Sequence, residues 1–116
     1  MSPARARALV KALVASGSAA SADVLTDALL ITSELVTNAV RHGGGVLHFA
    51  AEVDRHLLRI SVTDPSRELP RTEPSRDPRS GAGGFGWPLI CRLTESVTIT
   101  PGARGGKTIR VALRLA

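Results

Sequence analysis

Ile31-Thr-Ser-Glu-Leu-Val-Thr-Asn-Ala-Val-Arg-His-Gly43 is the stretch on which the reading of the whole chain turns. At roughly 100° per residue, Leu25, Ala28, Leu29, Thr32, Leu35, Val36, Ala39 and Val40 fall on one broad arc suited to pressing on a sheet. Beside that arc runs a narrower stripe of Asp27, Ile31, Glu34, Asn38 and Arg41. Glu34 and Asn38 are four apart and so are neighbours on the helix surface. A carboxylate and a carboxamide at the margin of an apolar face can together hold a hard cation or orient a water. Both can equally well meet solvent there, as such side chains usually do. The stretch alone leaves the two readings open.

Upstream, Ser21 is a suitable N-cap for this helix and Asp23 suits its positive end. Ser2-Pro3 opens a shorter helix to about Ser16, with Ala6, Leu9, Val10 and Leu13 inward and Gly17 closing it. Downstream, Gly43-Gly44-Gly45 stops the long helix. Two β-type runs follow, Val46 to Val53 and Leu57 to Thr63, joined across Asp54-Arg55-His56 as a hairpin. In the second run Leu58, Ile60 and Val62 share a face, and alternation carries Asp64 onto that apolar side. A carboxylate there is costly unless something hydrogen-bonds it. Alternatively, the strand ends at Thr63 and Asp64 begins an Asp-Pro-Ser turn.

Residues 65–86 hold four prolines, four glycines, charges of both signs and few apolar side chains. So long a connection in so small a domain reads as a functional lid or as disorder. It closes on Gly81-Ala-Gly-Gly-Phe-Gly86, just before the helical pattern Trp87, Leu89, Ile90, Leu93. Pro88 is tolerated only in a first turn, which puts the helix start near Gly86 or Trp87. A glycine loop opening a helix can cradle phosphates, although such loops also occur without ligands. A second strand pair, Glu95 to Thr100 and Thr108 to Leu115, ends the chain, with Ile109, Val111, Leu113 and Leu115 facing the core.

The 116 residues fit one domain with a single core. The hydrophobic fraction of 43% and charged fraction of 22% are those of a globular protein. There is no apolar run of bilayer length and no signal-peptide core, so no membrane association is expected. The single cysteine, Cys91, rules out an internal disulfide, fits a reducing cytoplasm and is expected as a core thiol. A net charge of +5 invites a nucleic-acid reading. The arginines are dispersed, however, and only Phe49, Phe85 and Trp87 are aromatic, so a base-stacking surface is not expected. An anionic ligand or an acidic protein partner accounts for the surplus charge equally well.

In this order, the elements resemble the GHKL (Bergerat-fold) ATPases. Within them the chain looks most like the small anti-sigma-factor serine/threonine kinases, in their actinobacterial branch. Ser33-Glu-Leu-Val-Thr-Asn-Ala-Val-Arg-His-Gly43 matches that family's N-box. Asp64-Pro-Ser66 to Pro70 resembles its G1 box, Gly83-Gly-Phe-Gly-Trp-Pro-Leu-Ile90 its G2 box, and Gly105-Gly-Lys-Thr108 its closing strand.

The resemblance implies an α+β fold, a two-layer α/β sandwich with a mixed, mostly antiparallel sheet covered on one face by three helices. Residues 1–116 would form one ATP-binding domain with its lid at about 65–86. Asn38 would hold Mg²⁺ against the triphosphate of ATP, and Glu34 would be the general base. Asp64 would accept the adenine amino group, and Gly84 and Gly86 would admit the phosphates to the loop backbone. Arg41 could touch a phosphate. Thr108 would contact adenine, which requires a bulge or twist, because alternation turns it away from the core. The implied protein is a cytoplasmic anti-sigma factor that sequesters a sigma factor and phosphorylates a STAS-domain anti-anti-sigma factor. Relatives have a strand before the first helix that often serves dimerisation; here the chain opens at that helix, which leaves a homodimer open. The alternatives are a non-catalytic, ATP-sensing module of the same fold and, ranked last, the catalytic domain of a histidine kinase.

Overall fold

In a computed structural model, which describes residues 1–16, 20–70 and 86–116, two serine caps start the long helices. Ser2 Oγ accepts from the Arg5 N–H at 3.1 Å and opens α1 (Pro3–Ala15). Ser21 Oγ accepts from the Val24 N–H at 3.2 Å and opens α2 (Ala22–His42). Each cap satisfies a donor that has no partner within the helix. Asp23 in the first turn of α2 and Arg41 and His42 in its last turn complement the helix dipole. The expected stop at Gly17 lies outside the described residues.

α2 ends where the N–H groups of Gly43 and Gly45 fold back on the Ala39 carbonyl, at 3.0 and 2.8 Å. Gly44 and Gly45 take φ of 83° and 115°, a left-handed course that side chains resist, and this turns the chain into the sheet. β1 (His48–Asp54) and β2 (Leu57–Asp64) form a hairpin whose two-residue turn is Arg55-His56. α3 (Gly86–Leu93) precedes β3 (Ser96–Pro101) and β4 (Lys107–Arg114). The sheet order is β1-β2-β4-β3, and all three pairings are antiparallel. β4 therefore lies between β2 and β3 and brings its first residue, Lys107, opposite Asp64.

One apolar cluster joins the layers. Leu58, Ile60 and Val62 of β2, with Ile109, Val111 and Leu113 of β4, meet Ile31, Leu35, Val36 and Ala39 of α2 and Ile90 of α3. Four residues depart from the faces expected of them. Leu9 is 49% exposed, because α1 is buried along the narrow stripe Ala6, Val10, Val14. Val40 is likewise 49% exposed, whereas Ile31 is buried. α2 packs on α1 and α3 as well as on the sheet, so its buried arc widens on the Ile31 side. Cys91 is exposed rather than a core thiol, since Ile90 takes the inward position of α3.

The β3–β4 connection is drawn tight by Gly102 N–H to the Gly106 carbonyl at 3.0 Å. Gly106 has φ 73°, and a Cβ there would meet the Asp64 carbonyl oxygen and lie 3.2 Å from Pro65 Cα. Both neighbours are backbone and cannot swing aside. Gly106→Ala is therefore expected to cost at least about 2 kcal/mol, from left-handed strain and overpacking together. Thermal unfolding should show a Tm lower by roughly 8 °C or more. An unchanged Tm would contradict this close approach.

Candidate functional site

Glu34, Asn38 and His42 recur every four residues along α2 and, with Thr37, line a crevice closed on the other side by Gly86, Trp87 and Ile90 of α3. The stripe expected to carry chemistry thus faces the N-terminus of α3, where backbone N–H groups and the helix dipole favour negative charge. Gly86, the first residue of α3, is buried against Glu34. A Cβ on it would collide with Glu34 Oε2 and sit 3.0 Å from Glu34 Cδ. Only glycine lets the carboxylate approach the helix start this closely. Arg41 is exposed, and Gly84 lies outside the described residues with the rest of residues 71–85.

Burial holds the Glu34 carboxyl above its ordinary pKa of 4.5, opposed in part by the positive charge of Arg41. A carboxylate with a raised pKa is a better proton acceptor than an ordinary surface glutamate. The same shift has a consequence for stability. Above pH 4.5 the unfolded chain releases this proton before the folded chain does. The stability Glu34 contributes is therefore complete below 4.5 and lost as pH rises through its folded pKa. Glu34→Gln cannot ionise and escapes that loss. We expect the variant to melt above wild type at neutral pH, with the difference vanishing towards pH 4. A Glu34→Gln variant that melts lower at pH 7 would contradict the burial of this charge.

At the far end of α2, Asp64 is 1% exposed and points inward, as the alternation of β2 dictates. Its burial is compensated. Lys107 Nζ donates to Asp64 Oδ1 at 2.9 Å, and the Ser66 N–H donates to the same oxygen at 2.9 Å. Lys107 Nζ also donates to the Ser66 carbonyl at 3.1 Å, and the lysine is itself 4% exposed. The other side of the carboxyl rests on the end of α2. A Cβ on Gly43 would lie 2.6 Å from Asp64 Cγ and 2.7 Å from Oδ2. Asp64 is thus held between the last turn of α2 and the start of β4.

Thr108 does not join Asp64. β2 and β4 pair in unbroken register, Thr63 opposite Thr108 and Asp64 opposite Lys107, without the bulge its expected role requires. The Thr108 hydroxyl instead meets Thr63 Oγ1 at 2.8 Å on the open face of the sheet. A broader depression on that face, bordered by Ala50, Ser61, Arg59, Arg110 and Ala112, lies on the opposite side from Asp64 and α2.

Two residues that sequence reasoning passed over belong to the site. His42 extends the Glu34–Asn38 stripe by four and was legible from that spacing. Lys107 shares the inward face with Ile109, so alternation carried back one residue would have found it. Among the described residues no group of three or more His, Cys, Asp or Glu could hold a metal. The Asn38 amide oxygen is a hard donor that suits Mg²⁺, with the remaining ligands coming from phosphates and water.

The chain matches the family described as "Histidine kinase-like ATPase domain" over residues 2–113, and it belongs to that family. Among named proteins it is similar to the anti-sigma F factor of Anoxybacillus flavithermus, 26% identical over 80% of this chain and 71% of that protein. It is similar to the anti-sigma F factor of Bacillus subtilis at 25% identity with the same coverage. Among solved structures it superposes on the histidine kinase domain of a blue-light activated histidine kinase from Erythrobacter litoralis. The TM-score is 0.52 and the identity 21%, over 80% of this chain. This chain spans 45% of that one, and the likeness supports the α+β fold of three helices and a four-stranded antiparallel sheet. No helix among the described residues is long and apolar enough to cross a membrane.

Proposed function

We propose that the chain is a cytoplasmic, ATP-binding anti-sigma factor with serine/threonine-protein kinase activity. It would be a single domain over residues 1–116 that sequesters a sigma factor and phosphorylates a serine on a STAS-domain anti-anti-sigma factor. The observation that carries this reading is the placement of two chemistries along the C-terminal half of one helix. A buried, hydrogen-bonded carboxylate, Asp64, rests on Gly43, and a carboxylate of raised pKa, Glu34, faces the start of α3 beside Asn38. From Glu34 to Gly43 the helix rises roughly 13 Å, comparable with an extended nucleoside triphosphate. The anti-sigma names of the curated relatives support the partner class.

In this reading Asp64 accepts the adenine amino group. Asn38 would offer its amide oxygen to the metal, Gly86 and Gly84 would admit the phosphates to the loop backbone, and Arg41 would add a supporting charge. Mg²⁺, held there by Asn38, would offset the negative charge of the phosphates. Glu34 takes the proton of the acceptor serine as its oxygen attacks the γ-phosphorus. The bond from that phosphorus to the bridging oxygen breaks, and ADP leaves with the electron pair. Burial of Glu34 suits it to that proton.

The test is incubation with γ-labelled ATP, Mg²⁺ and the STAS-domain proteins of the same genome. Label on a serine of one of them, lost in Glu34→Ala, supports the kinase. Saturable ATP binding with no transfer to any of them would leave a non-catalytic ATP-sensing module.

A further inference from the structure

The buried ammonium on Asp64 is not used by the roles assigned above. Lys107 enters the site because β4 starts in register with the end of β2, and its neighbour Gly106 brings the strand against the Asp64 backbone. Two of its three N–H donors are committed, to Asp64 Oδ1 at 2.9 Å and to the Ser66 carbonyl at 3.1 Å. Asp64 Oδ1 is similarly committed, accepting from both Lys107 and the Ser66 N–H. What the pair retains is one acceptor, Oδ2, and one donor, the third N–H of the ammonium, on groups in direct contact.

The adenine edge presents the complementary pair, a donor on the exocyclic amine next to an acceptor at ring N1. We propose that Lys107 is a specificity-determining residue that donates to adenine N1 while Asp64 accepts from the amine. The base is thus read by an acid–ammonium pair rather than by the acid alone. A charged donor in a water-poor site makes a stronger hydrogen bond than a neutral one and penalises a base that offers no acceptor there. This rests on the nucleotide reading above, and it adds to that reading a residue and an atom of the base.

The test compares ATP with 1-deaza-ATP, which keeps the amine but replaces N1 by C–H. The chain has two lysines, Lys11 and Lys107, so ¹⁵N-lysine labelling yields two side-chain ammonium signals, assigned with Lys11→Arg at the exposed α1 position. We expect ATP to move the Lys107 signal and 1-deaza-ATP to bind about tenfold or more weakly, leaving that signal little changed. In Lys107→Thr the two nucleotides should bind within about twofold of each other. The labelled wild-type protein decides the matter even if that variant does not fold. Equal binding of both nucleotides by wild type, or an unmoved Lys107 signal at saturating ATP, overturns the role of Lys107 while leaving ATP binding intact. Failure of ATP itself to bind overturns both.

Discussion

Asp64→Ala is expected to be the most damaging single substitution in the chain. It strands the Lys107 ammonium, 4% exposed and otherwise held by one carbonyl, without its counter-charge. Breaking a buried ion pair from one side costs about 3–5 kcal/mol, against a total stability of about 5–15 kcal/mol for a domain of this kind. Much of the protein should be unfolded or easily melted, with Tm lower by roughly 12 °C or more. Removing both charges costs less than removing one. The double variant Asp64→Ala/Lys107→Met should therefore recover most of the lost Tm and still fail to bind ATP. Recovery of stability without recovery of binding separates the structural work of the pair from its work on the ligand. A single variant that folds like wild type would show that the two side chains are not paired in solution.

The second large effect is on chemistry rather than folding. Glu34→Ala should lower phosphoryl transfer by about 10²–10⁴-fold, the usual contribution of a positioned general base. ATP affinity should change little, because Asp64 and Asn38 are untouched. Gly86→Ala offers an independent route to the same defect. Its methyl would collide with Glu34 Oε2 and push the carboxylate away from the start of α3. Both variants should fold, since Glu34 lies at the margin of the core. Transfer by Glu34→Ala at the wild-type rate would remove Glu34 from the mechanism.

These expectations draw on features of unequal legibility. The limits of α2 were plain because a serine cap and a glycine stop are local chemistry. The inward course of Leu58, Ile60, Val62 and Asp64 was plain because strand alternation has no freedom. The faces of the helices were less so. Ile31 and Val40 exchanged the burial expected of them because α2 contacts α1 and α3 as well as the sheet, and a helical wheel does not reveal how many neighbours surround it. Leu9 is exposed for the related reason that α1 buries only one stripe.

Within the site, Glu34 and Asn38 could be named from their spacing, and Gly86 from the helix it opens. Lys107 lies one residue before the start expected for β4 from its apolar alternation, Thr108. A shift of one residue puts the side chain on the other face of a sheet. That is why Thr108 was expected where Lys107 stands. The contact between Gly43 and Asp64 joins positions far apart in sequence and had no local signal at all.

Calorimetric titration of the wild-type protein and Asp64→Asn with ATP in the presence of Mg²⁺ bears most directly on the central claim. The wild-type protein should bind one ATP saturably. Asp64→Asn, which loses the charged acceptor, should bind about tenfold or more weakly. Absence of binding by wild type at millimolar ATP, or equal affinity in the two proteins, would contradict a nucleotide site that runs along α2 from Asp64 to Glu34.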